Sequence, residues 1–155
     1  MTPEPWVELR PVRWDREDGL SEHLRAYWRD LGVEPSERWH RRYLSRLREE
    51  EGKSRFTFWG YAGDQRVGLV VLRIDHDWVD PDRRVGYVAE FMIFSDFRRR
   101  GWGRGLFAAA GAWLVTRGCK DLELDVLPTN GPAMAFWKAL GFQPAYHHMR
   151  WGPLQ

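Results

Sequence analysis

The stretch Ser95-Asp96-Phe97-Arg98-Arg99-Arg100-Gly101-Trp102-Gly103-Arg104-Gly105-Leu106 decides how the rest of the chain is read. It follows a strand-like segment, residues 85–94, and opens a helical pattern, residues 102–117, with Leu106, Phe107, Ala110, Trp113 and Leu114 on one face. Glycines between a strand and a helix let backbone N–H groups approach an anion closely, and the helix N-terminus favours negative charge. The arginines add fixed positive charge to the rim. A P-loop would need Gly-Lys-Ser/Thr, which does not occur. A dinucleotide turn would need glycine where Leu106 stands, although Asp121 lies where the ribose acid would be expected. That fold also begins at its glycine turn, and too little chain follows this one. A glycine-eased turn carrying a solvated arginine cluster stays open beside the phosphate-binding reading.

Working outward, residues 7–12 read as a short opening strand. Ser21 is placed to cap a helix carrying Leu20, Leu24, Tyr27, Trp28 and Leu31, which Gly32 stops. A second helix begins at Pro35-Ser36, with Trp39, Tyr43, Leu44 and Leu47 on one face and an arginine-rich solvated face opposite. From Phe56 the period becomes two. Residues 56–61 and 66–74 form a hairpin around Ala62-Gly63-Asp64-Gln65. A polar loop, residues 75–84, leads into the strand at 85–94. Beyond the long helix come a strand at 122–127, a helix capped by Asn130 with Pro132 in its first turn, a stop at Gly141, and a closing extended segment, residues 142–151. The expected order is β-α-α-β-β-β-α-β-α-β, a mixed α/β sheet in one domain spanning residues 1–155.

Composition bounds the function. The chain has 155 residues, 43% hydrophobic and 30% charged, an ordinary globular balance. No apolar run approaches the roughly 18 residues of a membrane helix, and residues 1–13 have no apolar signal core. Cys119 is the single cysteine, which excludes a disulfide framework and a multi-cysteine metal site. These features lead us to expect a cytoplasmic protein without membrane or metal. All but Lys53, Lys120 and Lys138 of the 24 basic residues are arginine, and there are 10 tryptophans. Arginine with tryptophan raises the question of nucleic acid, but 22 acidic residues leave a net charge of only +2, which argues against it. His147-His148 has no partner at ligand spacing, and Cys119 reads as a small buried residue.

Two motifs together carry a family resemblance. Arg98-x-x-Gly101-x-Gly103 resembles the R/Q-x-x-G-x-G/A signature of the GNAT superfamily of acetyl-CoA-dependent N-acetyltransferases. Asn130-x-x-Ala133-x-x-Phe136-Trp137-x-x-x-Gly141-Phe142 is similar to that family's second motif. The resemblance covers residues 85–142 closely, and it implies a fold whose central strand pair splays apart. It implies that the turn Arg98, Arg99, Arg100, Gly101, Trp102, Gly103 and Arg104 holds the CoA pyrophosphate. It implies further that Phe91, Met92 and Ile93 pair with the pantetheine arm, and that Asn130 lies near the cofactor as well as capping its helix. Trp137 falls in the same cofactor-side motif.

In this family a neutral amine attacks the acetyl thioester directly, so a base must take a proton from an amine with a pKa near 10.4. Glu90 is the first candidate; strand alternation groups it with Val88 and Met92, where burial would raise its pKa. A structural hydrogen bond or contact with the substrate ammonium is the competing role. Asp125, on the splayed strand, is the second candidate. Trp137 departs from the tyrosine often used to protonate the leaving thiolate, and an indole is no practical proton source. Tyr146, water or unaided departure of a thiol with a pKa of roughly 8.5 would replace it. Asp75, Asp77, Asp80 and Asp82 around Trp78 would help select a cationic amine. The expected partners are acetyl-CoA and a primary amine, a small molecule rather than a protein N-terminus, with a homodimer left open. The alternative is a non-catalytic acyl-CoA-binding module on the same fold, favoured by Trp137.

Overall fold

The computed structural model describes residues 5–153 apart from Glu17. Its elements run β1 (Glu8–Pro11), α1 (Leu20–Asp30), α2 (Glu37–Glu50), β2 (Arg55–Ala62), β3 (Gln65–His76), β4 (Arg84–Ile93), a single 3-10 turn at Ser95–Phe97, α3 (Trp102–Thr116), β5 (Cys119–Leu124) and α4 (Gly131–Ala139). The five strands form one sheet in chain order, antiparallel from β1 to β4 and parallel between β4 and β5. The chain divides into two compact units, Met1–Asp125 and Val126–Gln155.

In the first unit α1 and α2 cover one face of the sheet. Leu24 and Leu47 pack there with Trp59, Leu69, Val71, Met92 and Phe94. Leu20, Leu24 and Trp28 recur every four residues, so one stripe of α1 is buried. On the other face α3 buries Leu106, Ala110 and Leu114, and Trp113 meets the rings of Phe56 and Phe58. Trp59 is fully buried and donates its indole N–H to Asp18 Oδ2 at 2.8 Å. Arg66 bonds the same carboxylate at 2.8 Å and stacks 3.9 Å from the Trp59 ring. That network ties the approach to α1 onto the sheet.

Most expected elements form, and the departures have local causes. Helix α1 begins two residues earlier than a Ser21 cap would place it: Gly19, in the left-handed region, is the N-cap. Ser21 Oγ instead lies 2.9 Å from Nε2 of the fully buried His40. Ser36 does cap α2, accepting from Trp39 N–H at 3.2 Å. Strand β5 occupies 119–124 rather than 122–127, because Gly118 (φ 81) reverses the chain straight out of α3 and Cys119 pairs at once with Arg84. Cys119 is buried there, as expected.

In the second unit Asn130 caps α4, its Oδ1 accepting from Ala133 N–H at 3.2 Å. The closing strand expected over 142–151 does not form, since no ladder is present after α4 among the described residues. Gln143-Pro144-Ala145 and Gly152-Pro153 interrupt the alternation, and proline has no N–H to give a ladder.

Candidate active site

Strand β4 carries the candidate site, and two of its features coincide there. Its pairing with β5 stops at Val88 opposite Leu124, while β4 itself runs on to Ile93. The parallel pair therefore parts beyond Val88, as a splayed central pair requires. At the same point Val71 of β3 faces Glu90 and Leu72 faces Val88, so Ala89 is the extra residue of a β-bulge. A bulge re-aims the side chains beside it.

The bulge overturns one expectation. A Cβ on Gly86 would lie 2.9 Å from Leu114 of α3, so Gly86 and, two residues on, Val88 face that helix. Ala89 and Met92 pack into the cluster beneath α1 and α2. Glu90 goes with them and not with Val88: its carboxylate Oε1 accepts from Tyr43 Oη at 2.8 Å. The Tyr27 hydroxyl of α1 lies near enough to act on the same carboxylate. Burial pushes Glu90 up to about 6, against the opposing pull of the two phenol donors and of Arg55. Burial and the adjacent carboxylate together hold the Tyr43 and Tyr27 hydroxyls well above the ordinary phenol range. Neither tyrosine was singled out in the sequence, where both read as apolar positions of amphipathic helices. The available signal was indirect: a carboxylate placed on a buried face needs donors.

Past β4 the chain makes the glycine turn. Arg99 has φ 63 and Gly101 φ 85, two left-handed residues within three positions. Such backbone presents successive amides to an anion, and a non-glycine residue held in this region is common where function requires it. Gly101 is the N-cap of α3, without a side-chain cap. The first helical bond runs from Gly105 N–H to Gly101 O at 3.3 Å, so Trp102, Gly103 and Arg104 have no intrahelical acceptor for their amides. No acidic residue occupies the first turn. Arg99, Arg100 and Arg104 are exposed around it. Arg98 is engaged elsewhere. Its Nε donates to Ile93 O at 2.9 Å and its Nη2 to Asp30 at 2.5 Å, tying the turn to the ends of β4 and α1. A cavity of about 400 Å³ opens beside it, lined by His23, Arg66, Met92, Phe94 and Arg98.

The remaining candidates are more scattered. Asp125 lies one residue past β5, exposed, and feels the charge of Arg73. The loop aspartates are largely occupied: Asp75 pairs with Arg73 at 2.7 Å, Asp77 accepts from Val79 and Asp80 N–H, and Asp80 from Asp82 N–H. Asp121, the position of a ribose acid, pairs with Arg83 instead. In the second unit Trp137 is buried against Phe136 and Phe142, while Tyr146, His147 and His148 are exposed. Among the described residues no group of three or more His, Cys, Asp or Glu side chains could hold a metal ion, and no helix is long and apolar enough to cross a membrane.

Comparison with known proteins bears on the family and the fold. N-alpha-acetyltransferase 30 of Xenopus laevis is 29% identical over 135 residues, covering 86% of this chain and 46% of that protein. Aminoglycoside N(6')-acetyltransferase type 1 of Salmonella typhimurium is 28% identical over 89 residues, covering 56% of this chain and 61% of that protein. The chain thus spans about half to three-fifths of the length of these relatives. Among solved structures, aminoglycoside N-acetyltransferase AAC(6')-Iy in complex with CoA shares the fold, with a TM-score of 0.70 at 21% identity over 95% of this chain and 94% of that one. The model of the acetyltransferase (GNAT) family matches residues 17–142, and the chain belongs to that family.

Proposed function

We propose that the protein is an acetyltransferase that moves acetyl from acetyl-CoA to a primary amine by direct attack, with Glu90 as general base. The observation that carries this reading is Glu90 itself, a half-buried carboxylate held by Tyr43 at 2.8 Å with its pKa pushed up to about 6, on the part of β4 that continues past β5. A base poised just below neutral pH is ionised at working pH and still able to hold a proton. The turn fits an anionic cofactor, since Arg99, Gly101 and the first-turn amides of α3 supply bent backbone without a competing carboxylate. Residues 99–104 would hold the pyrophosphate, and Phe91, Met92 and Ile93 the pantetheine arm. Acetyl-CoA would bring an activated thioester whose thiol leaves readily, so no protein acid is required of Trp137.

For the acceptor we favour a small-molecule amine, supported by similarity to an aminoglycoside acetyltransferase. Similarity to an N-alpha-acetyltransferase supports a peptide amine as the second reading. The loop aspartates, being largely occupied by internal partners, give little support to selection of a cationic amine. Acceptor panels of both kinds with acetyl-CoA, followed by thiol release, test the function. Acetylation of one class identifies it. Tight acetyl-CoA binding without turnover of any amine would instead favour a non-catalytic acyl-CoA-binding module, and absence of binding at millimolar acetyl-CoA would remove both.

A further inference from the structure

The two tyrosines on Glu90 come from different helices. Tyr27 lies near the end of α1 and Tyr43 in the middle of α2. Their positions are not loose. Tyr43 stacks on Trp39, with ring centroids 5.2 Å apart and planes 8° from parallel, and meets Trp28 edge-on at 5.3 Å. Tyr27 packs on Trp28 at 5.0 Å. Leu24 and Leu47 anchor the two helices in the core below. Each hydroxyl is therefore delivered by a packed ring on a packed helix, the condition under which a hydrogen bond positions its acceptor.

The other groups around the carboxylate do not share this task. Strand β3 presents Leu69 and Val71 on the same face. Arg55 of β2 acts on Glu90 only through space, its own guanidinium bonding Glu50 at 3.2 Å. Glu90 thus accepts directly from Tyr43, with the neutral Tyr27 hydroxyl beside it, and both phenols keep their protons. A carboxylate offers about four lone-pair directions. Tyr43 takes one, and with Tyr27 turned to a second, two remain.

We infer that Tyr27 and Tyr43 are positioning residues that clamp the Glu90 carboxylate from α1 and α2, fixing its orientation and leaving its remaining lone pairs for the proton of the incoming amine or a relaying water. This rests on the reading of Glu90 as the base. Because neutral donors stabilise the ionised form without neutralising it, the clamp keeps a half-buried carboxylate available as an acceptor at neutral pH. An arginine in the same place would hold it far below the range of a useful base.

The first arm of the test needs no acceptor. In protein labelled with carbon-13 at the glutamate carboxyl, the Glu90 resonance, assigned by its absence in Glu90→Gln, is followed by NMR from pH 4 to 8. Wild type is expected to titrate at about 6. Tyr43→Phe and Tyr27→Phe each keep the ring and remove one donor. Each should raise the midpoint by about one unit, a tenfold change in ionisation constant, and the double variant should raise it further. Two folded single variants with an unmoved or lowered midpoint overturn the proposal. If one variant does not fold, the other decides. The acid limb of acetyl transfer, measured with sisomicin and with a peptide amine, should move with the midpoint while the high-pH plateau holds; a falling plateau with an unmoved limb marks a merely structural role and counts against the clamp. Persistence of that limb in Glu90→Gln would sink the base reading alone, leaving the NMR result for the tyrosines intact.

Discussion

Glu90→Gln should make this protein more stable relative to wild type as pH rises, although it removes the proposed base. Glu90 has an ordinary value of 4.5 and is pushed up to about 6 in the folded protein by burial. The folded state therefore binds the Glu90 proton more tightly than the unfolded state does. The associated stability is fully present below pH 4.5 and is lost as pH rises through 6. At about 1.36 kcal/mol per unit, the loss comes to about 2 kcal/mol for the wild type. Glutamine does not titrate and keeps an oxygen to accept from Tyr43, so the variant lacks this loss. Urea denaturation at pH 4, 5, 6 and 7.5 gives the stability of each protein. The difference, wild type minus variant, should fall by about 2 kcal/mol across that range. Subtraction matters because Glu51, raised by burial, and Asp18, lowered by Arg66 and Trp59 against the opposing effect of burial, also titrate but do so in both proteins. A pH-independent difference would refute the burial argument, and a difference that grows with pH would mean that the tyrosines overcompensate desolvation.

Three further outcomes follow from the geometry. Gly101→Val forces a β-branched residue to φ 85, a strain of about 1–3 kcal/mol at the turn, and should weaken acetyl-CoA binding in calorimetry by tenfold or more; Gly63→Val, at φ 60 in the β2–β3 turn with open space around it, should cost stability and leave that affinity unchanged. Gly68→Ala would drive a methyl into Met92 O, a backbone atom that cannot rotate away, so the urea midpoint should fall by the equivalent of about 1–3 kcal/mol. Ser21→Ala removes the partner of buried His40 and should cost about 1–3 kcal/mol, read as a lower thermal midpoint.

The sequence was legible wherever one local rule sufficed. The glycine turn declared a strand before it and a helix after it, Ser36 and Asn130 announced their caps, and Gly63-Asp64 closed the hairpin. It was less legible where a segment's state depends on a distant partner. The polar Cys119-Lys120-Asp121 leaves the start of its strand ambiguous between 119 and 122, and the edge of β4 settles it by pairing from Cys119. The closing segment is apolar enough to suggest a strand, yet it forms no ladder, and Pro144 within it has no N–H to give. Arg98 belongs to the motif and yet its guanidinium is taken by Asp30 and Ile93 O; the first of these lies 68 residues away, a pairing that no local pattern reveals.

The bulge at Ala89 shows why the site was harder to read than the fold. Alternation fixes a side chain's face only while the register holds, and one extra residue reverses every assignment beyond it. Without the bulge, with alternation running unbroken through 88, 89 and 90, Glu90 would share the face of Gly86, against Leu114 of α3. With it, Glu90 turns toward Tyr27 and Tyr43. The same insertion sits where β4 loses β5, so the re-aimed carboxylate and the opened edge occur together. The cost is the burial that raises Glu90 and weakens the fold near neutral pH. That cost and the base's readiness to accept a proton have one cause, which is why the variant expected to lose the proposed chemistry is also the one expected to gain stability.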